Sequence, residues 1–151
     1  MPEVIIMRGP AGCGKSTWIK KNCPDAVVVS ADHFWIVQHE DGTEEYLFDI
    51  SRLAEAHQDC LCRFVDSIVA GYQQIVVDNT NICRWQYAAY EKIARSHQYE
   101  VRIVEFRPVS IDDIKTCIKR NVHRVPAQVV TQMCTDFEAE GSAQEILKIS
   151  S

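Results

Sequence analysis

The sequence predicts an α/β protein in which a parallel sheet is covered by helices on both faces. Short, largely apolar segments alternate along the chain with longer segments in which apolar residues recur at helical spacing. The short segments are apolar nearly throughout, which is typical of parallel strands that are buried on both sides. A glycine-rich stretch joins the first apolar segment to the first helical one. Together these observations predict one three-layer domain over residues 1–151, with a sheet of four or five strands.

The elements follow in order from the periodicity and from the glycine and proline positions. Strands are expected at residues 3–8, 26–30, 74–78 and 100–106. Helices are expected at residues 15–21, 51–70, 84–97, 110–120 and from 127 to about 140. Residues 32–48 show no clean period and include a turn signal at Asp41-Gly42. We therefore expect this segment to be a mobile part of the active site.

Composition and charge narrow the class of protein. Hydrophobic residues make up 46% of the chain and charged residues 25%, which is ordinary for a globular protein. No apolar run reaches the ~18 residues that a membrane helix needs, and the first residues lack a basic signal region, so we expect a cytoplasmic protein without a membrane partner. The net charge of −5 argues against sequence-independent coating of DNA. A local basic groove for nucleic acid and a small-molecule substrate both stay open.

Seven cysteines are spread along the chain without repeated C-x-x-C pairs. The odd number and the irregular spacing predict neither a disulfide framework nor a zinc ribbon. His57, Cys60 and Cys62 are close in sequence and would be potential metal ligands. They fall within a predicted helix, where packing is the alternative explanation.

The glycine-rich stretch fits a phosphate-binding loop at every fixed position. Residues 9–16 read GPAGCGKS and match G-x-x-x-x-G-K-[ST] between a predicted strand and a predicted helix. Backbone N–H groups of such a loop point at phosphate oxygens, and the helix N-terminus adds its dipole. We expect Lys15 to reach the β- and γ-phosphates of ATP and the Ser16 hydroxyl to bind Mg²⁺. The expected nucleotide-binding residues are Gly9, Gly12, Cys13, Gly14, Lys15, Ser16 and Thr17.

Two aspartates follow predicted strands. In α/β sheets ligands bind at the carboxyl ends of the strands, and Asp32 and Asp78 both lie there. Asp32 could accept the proton of an acceptor hydroxyl, or it could only cap the next segment. Asp78 ends the apolar segment QIVVD and could hold Mg²⁺ or its waters. Asn79 and Asn81 follow directly; they could contact substrate, orient the loop, or form a simple turn.

A short basic run joins the last two predicted helices. Residues 119–124 read KRNVHR, and Arg120 and Arg124 could close over a triphosphate and offset charge during phosphoryl transfer. A solvated charged surface is the alternative. Because small kinases carry a helical lid in this position, we expect a catalytic lid.

Four strings of the sequence together resemble the P-loop polynucleotide kinases. They are GPAGCGKSTW, SADHFW, VVDNTN and KRNVHRVP, and the resemblance runs from about Val4 to Glu138. It implies a P-loop kinase fold with a helical lid, and it implies that Asp32 is the general base. It also implies that Lys15, Ser16 and Asp78 organise ATP and Mg²⁺ and that Arg120 and Arg124 are lid arginines. In a phage-encoded member the compartment would be the host cytoplasm.

One position departs from that family pattern. Three residues after the catalytic Asp, the bacteriophage enzymes have an Arg that grips the acceptor's phosphate, and this chain has Trp35. An indole cannot neutralise a phosphate, but it can stack on a base. We therefore expect Trp35 to stack on the acceptor; the alternative is that it packs under the mobile segment. Asp78, Asn79 and Asn81 are the other residues expected to contact the acceptor.

The resemblance implies an ATP-dependent kinase with a hydroxyl acceptor on a nucleic acid, DNA more than RNA. The acceptor would be a 5′-OH end or the hydroxymethyl group of a modified pyrimidine, as in phages that modify their DNA. A kinase for a nucleoside, sugar or antibiotic is the first alternative. A non-enzymatic ATP-binding module is the second, and it would leave Asp32 and the lid arginines without a role.

Overall fold

The computed structural model describes residues 1–121, 125–139 and 143–149. Within these residues the strands are β1 Glu3–Arg8, β2 Val27–Val29, β3 Ile36–Gln38, β4 Glu44–Tyr46, β5 Gln74–Asp78, β6 Glu100–Arg107 and β7 Glu145–Lys148. The α-helices are α1 Lys15–Asn22, α2 Leu53–Ala70, α3 Ala88–Ser96, α4 Ile111–Arg120 and α5 Ala127–Asp136. None of the helices in this described part combines the length and apolarity that crossing a bilayer requires.

The main sheet has five parallel strands in the order β2-β5-β1-β6-β7. β1 lies at its centre, and five of its six residues are buried. Because successive side chains of a strand point to opposite faces, Val4 and Ile6 join one core cluster while Ile5 and Met7 join another. The central position of β1 explains why its sequence is apolar without alternation.

Helices cover both faces of this sheet. The cluster of Val4 and Ile6 is completed by residues of α2 and α3, among them Phe64 and Tyr90, whose rings meet edge to face with centroids 5.0 Å apart. The opposite cluster takes residues from α1, α4 and α5. The predicted three-layer α/β architecture is therefore confirmed.

The helix ends differ from the predictions by a few residues, and their caps explain where they lie. Ser110 caps α4: its Oγ accepts from the Asp113 amide and the Asp113 carboxylate accepts from the Ser110 amide, both at 3.2 Å. The helix expected at 84–97 is divided into a 3₁₀ turn, Arg84–Gln86, and α3. The last predicted helix ends at Asp136, because Phe137 has extended backbone angles.

Strand β7 was not expected from the sequence. It has only four residues and lies at the edge of the sheet, paired with the last residues of β6. Its burial alternates, with Leu147 packed against the core and Ile146 exposed. Four residues are too few for a period-2 pattern to stand out from chance.

Residues 32–48, for which the sequence indicated no secondary structure, contain a short helix and a hairpin; the mobility expected for this segment stays a prediction. A 3₁₀ helix, Ala31–Trp35, is followed by the antiparallel hairpin of β3 and β4. Its turn is the expected one at Asp41 and Gly42, where Asp41 Oδ1 accepts from the Thr43 amide at 2.9 Å. All residues of both strands are exposed. Without a buried face the hairpin carries no apolar alternation, which hid it in the sequence.

Candidate active site

The loop between β1 and α1 has the backbone conformation of a phosphate-binding loop. Gly12 and Gly14 have φ angles of +80° and +113°, which residues with a Cβ rarely adopt. Gly12 is also tightly enclosed: an added Cβ would lie 2.1 Å from the Cys117 carbonyl oxygen and 3.1 Å from the Asn121 nitrogen. The end of α4 therefore packs directly on the loop.

Lys15 begins α1 and folds back over the loop. Its Nζ donates to the carbonyl oxygens of Gly9 and Pro10 at 2.8 and 3.1 Å, and lies 3.6 Å from Cys13 Sγ. Ser16 and Thr17 are exposed in the first turn of α1. The Cys13 side chain is buried under the loop, and burial raises the pKa of its thiol despite the nearby Lys15 ammonium. Cys13 therefore packs under the loop, and only its backbone is available to a phosphate.

Asp78 lies beside this loop. It pairs with Met7 in the register of β1 and β5, and the Gly9 amide donates to the carbonyl oxygen of Thr80 at 2.9 Å. The carboxylate of Asp78 and the hydroxyl of Ser16 are hard oxygen donors, the kind that Mg²⁺ prefers. The two oxygen donors therefore fit a magnesium site.

Asp32 lies in the 3₁₀ helix that follows β2. Ser30 caps this helix, its Oγ accepting from the Asp32 amide at 3.1 Å. The Tyr46 hydroxyl of the hairpin donates to Asp32 Oδ1 at 3.3 Å. Burial, followed by the nearby Asp32 carboxylate, raises the pKa of Tyr46 to about 12. Tyr46 was not expected to take part, because a contact across a hairpin leaves no trace in local spacing.

The two asparagines after β5 bond to the protein backbone. Asn81 is buried with a left-handed backbone (φ 47°), and its Nδ2 donates to the Met7 carbonyl oxygen at 2.8 Å. This buried position corrects the expectation that Asn81 contacts the acceptor. Asn79 Oδ1 accepts from the Ala31 amide at 2.8 Å, which ties β5 to the 3₁₀ helix of Asp32. Both hydrogen bonds are of the kind expected if the two asparagines orient the loop.

Trp35 is a core residue in this structure, which corrects the expectation that it stacks on the acceptor. Its side chain is 3% exposed and packs with Phe34 and Phe48, at ring-centroid distances of 5.0 and 5.1 Å. A base cannot reach an indole whose faces are covered. The hairpin and α2 bury the indole, an arrangement that depends on tertiary packing.

The expected lid lies at the junction of α4 and α5. Arg120 is the exposed last residue of α4, between Cys117 and Asn121, whose backbones face Gly12 of the loop. Asn121 Nδ2 donates to the Val125 carbonyl oxygen at 2.6 Å. Arg124 lies outside the described residues, so its predicted role stays a prediction.

A buried arginine that the sequence analysis did not single out precedes the loop. Arg8 is fully buried and forms an ion pair at 2.6 Å with Glu105, its register partner on β6. Its guanidinium also donates to the carbonyl oxygens of Asn81, Ile82 and Glu138. The rings of Tyr87 and Phe137 lie 4.6 and 4.8 Å from it. The signal in the sequence was the arginine that ends the apolar strand β1, directly before the glycine-rich loop.

The three potential metal ligands of α2 face different surroundings. Cys60 is fully buried in the core, whereas Cys62 and His57 are exposed. In the described part of the chain, no group of three or more His, Cys, Asp or Glu side chains is arranged to hold a metal. The packing explanation fits Cys60.

A family model described as an AAA domain matches residues 4–139. The chain belongs to this AAA domain family. Over 156 residues it is 26% identical to NEDD4-binding protein 2 of Homo sapiens. That match covers 97% of this chain and 8% of the human protein, so the chain spans less than a tenth of its relative's length.

Solved structures show that this AAA domain has the fold of P-loop kinases. A gluconokinase from Sinorhizobium meliloti 1021 superposes with a TM-score of 0.61 at 15% identity, over 99% of this chain and 84% of that one. The APS kinase CysC of Mycobacterium tuberculosis, solved in complex with AMPPNP and APS, gives 0.62 at 15% identity, over 97% and 88%. At this identity the likeness shows the fold alone.

Proposed function

We propose that this protein is an ATP-dependent kinase that transfers the γ-phosphoryl group to a hydroxyl of a nucleic acid. The carrying observation is that the loop with Lys15 and the carboxylates of Asp32 and Asp78 all lie at the carboxyl ends of adjacent parallel strands. This is where ligands bind in open α/β sheets.

Each site residue would have a separate role in an in-line phosphoryl transfer. Asp32 would accept the proton of the acceptor hydroxyl as its oxygen bonds to the γ-phosphorus and the bond to the β,γ-bridging oxygen breaks, releasing ADP. Lys15 and Arg120 would offset the negative charge that spreads over the phosphoryl oxygens. Mg²⁺, held through Ser16 and Asp78, would neutralise the phosphates of ATP when bound.

The nucleic-acid acceptor is supported by the four motif strings that resemble polynucleotide kinases. We propose two acceptor hydroxyls: a 5′-OH end and the hydroxymethyl group of a modified pyrimidine. DNA is proposed as the acceptor in preference to RNA. With Trp35 buried, Trp85 is the better candidate for stacking on a base, since its side chain is 76% exposed. It lies in the 3₁₀ turn between β5 and α3, at the same carboxyl end of the sheet.

A small-molecule acceptor is the second candidate, and the hairpin favours it. Residues 22–51 contain no Lys or Arg, and the hairpin region exposes the carboxylates of Glu40, Asp41, Glu44, Glu45 and Asp49. These charges next to Asp32 would repel a phosphate backbone. A neutral or cationic acceptor avoids that cost.

An acceptor panel with labelled ATP separates the candidates. It contains a 5′-hydroxyl oligodeoxynucleotide, the matching RNA, duplex DNA with hydroxymethylpyrimidines, and a set of nucleosides and sugars. Lys15→Ala should abolish transfer, and Asp32→Asn should lower kcat about 10²- to 10⁴-fold while binding of a non-hydrolysable ATP analogue is retained. Lys20→Ala, in the last turn of α1, is the matched lysine control.

The panel has a clear result for each candidate. Transfer only to small molecules would replace the nucleic-acid proposal by the second candidate. ATP binding without transfer to any acceptor would support a non-enzymatic module. Trp85→Ala should weaken only nucleic-acid acceptors, by about 1–3 kcal/mol in kcat/KM.

A further inference from the structure

A hydrogen bond to a side chain connects the 3₁₀ helix that contains Asp32 to the sheet. β2 pairs with β5 up to Val29 opposite Val77, and the chain then leaves the sheet as the 3₁₀ helix that begins at Ala31. Two residues beyond the last pair, Asn79 Oδ1 accepts the Ala31 amide hydrogen at 2.8 Å. The carboxamide takes the place of the backbone carbonyl that would continue a parallel ladder.

The other side of the Asn79 carboxamide contacts side chains of two helices. Its Nδ2 donates to Cys60 Sγ of α2 at 3.5 Å, and the Tyr90 hydroxyl of α3 lies within hydrogen-bonding reach of both groups. Cys60 and Tyr90 are buried. Burial, and then the neighbouring Cys60, raise the pKa of Tyr90, so its hydroxyl stays protonated. The carboxamide therefore has partners on both sides and a defined orientation.

We propose that Asn79 is a positioning residue for phosphoryl transfer: by binding the Ala31 amide it holds Asp32 in the geometry that deprotonation of the acceptor requires. This inference rests on the proposed function, in which Asp32 is the base. Displacement of a catalytic group by about 1 Å can cost on the order of 10²-fold in rate. The contacts of Asn79 with Ala31, Cys60 and Tyr90 do not involve the phosphate-binding loop, so nucleotide binding should be independent of Asn79.

The first test measures the contact without any acceptor. Hydrogen exchange of the backbone amides in residues 30–35 should be at least tenfold faster in Asn79→Ala than in wild type. Gln74→Ala is the matched control, because Gln74 is a carboxamide at the opposite end of the same strand, bonded to Glu3 at 2.8 Å. Unchanged exchange in Asn79→Ala would overturn the proposal, and so would equal acceleration in Gln74→Ala.

The second test is kinetic, with labelled ATP and the acceptor that the panel identifies. Asn79→Ala should lower kcat about 10- to 100-fold with the KM for ATP within threefold of wild type. In an Asp32→Asn background the same change should alter the residual rate by less than threefold, since nothing is left to position. A purely structural role would give equal losses in both backgrounds and would overturn the proposal.

The two hypotheses fail differently in these experiments. If Asp32→Asn keeps wild-type transfer, the proposed general base is wrong, and with it any catalytic role of Asn79, whatever the exchange data show. If Asp32→Asn lowers kcat as expected and Asn79→Ala has wild-type kcat, only the positioning role is wrong. Both hypotheses are supported if Asn79→Ala lowers kcat, accelerates hydrogen exchange in residues 30–35, and has little further effect on the rate of Asp32→Asn.

Discussion

The Tyr46 hydroxyl touches the side chain on which the proposed chemistry depends. It donates to Asp32 Oδ1 at 3.3 Å from the second strand of the hairpin. Both groups are partly accessible, so the hydrogen bond should contribute modestly. Its effect would be to help orient the Asp32 carboxylate toward the acceptor.

Tyr46→Phe should therefore lower kcat about 3- to 10-fold and leave ATP-analogue binding unchanged. The pKa of Tyr46 is raised to about 12, so the hydroxyl remains a protonated donor throughout the working pH range. The wild-type to mutant ratio of kcat should hence stay constant from pH 6 to pH 10. A ratio that falls toward one as pH approaches 10 would show that Tyr46 ionises near its ordinary value.

The contact between the phosphate-binding loop and α4 joins two elements that are a hundred residues apart. The Gly12 position lies against the backbone at Cys117 and Asn121, immediately around Arg120. A shift of the end of α4 toward the loop would therefore collide with the loop backbone. A lid rooted at this point would be coupled to phosphate binding.

Gly12→Ala should disrupt this contact and reduce ATP affinity at least tenfold, because the new Cβ would lie 2.1 Å from a carbonyl oxygen. Gly71→Ala, at the C-terminus of α2, is the control for a general loss of stability from an alanine at positive φ. Gly71 has a similar φ of +78°, but a Cβ there would meet nothing within 4 Å. Calorimetry with an ATP analogue should show normal affinity in Gly71→Ala and only a lower Tm; equal affinity losses in both variants would contradict the contact.

Arg120 tests the lid at the end of α4. Arg120→Ala should lower kcat more than it raises the KM for the acceptor, because a lid arginine serves the charge of the transition state. Lys119→Ala, the exposed neighbour, is the control for loss of one positive charge. Unchanged kcat with a raised acceptor KM would instead assign Arg120 to acceptor binding.

At the scale of the whole molecule, Arg8 connects four separate parts of the chain. It reaches from β1 to Glu105 on β6, to the loop after β5, and to Glu138 beyond α5. The Glu138 amide also donates to the Ile82 carbonyl oxygen at 3.0 Å. The carboxyl ends of the central strands are thus held by one buried charge pair.

Arg8→Met should lower the free energy of unfolding by about 3–5 kcal/mol, because it removes the guanidinium that is ion-paired with the fully buried Glu105 carboxylate. Arg8→Met combined with Glu105→Gln should recover part of that loss, since a neutral amide costs less to bury than a carboxylate that has lost its Arg8 partner. Urea unfolding followed by tryptophan fluorescence measures both. Arg95→Ala, which removes an exposed pair with Glu91 at 3.9 Å, should cost no more than about 1 kcal/mol.

The sequence by itself determined the features that depend on local order. The phosphate-binding loop requires glycines and a lysine at fixed spacing, and the apolar strands before Asp32 and Asp78 placed both carboxylates at one edge of the sheet. Long apolar or periodic segments carry their own signal, which is why β1, β5 and α2 were located within a few residues.

Tertiary structure alone decided which side chains are covered and what they touch. Trp35 is buried and Trp85 is exposed, although both lie in 3₁₀ turns that follow strands of the sheet. Asn79 and Asn81 share a motif, yet one holds the Ala31 amide and the other the Met7 carbonyl. Burial and hydrogen-bond partners depend on groups that are distant along the chain, so no local pattern could assign them.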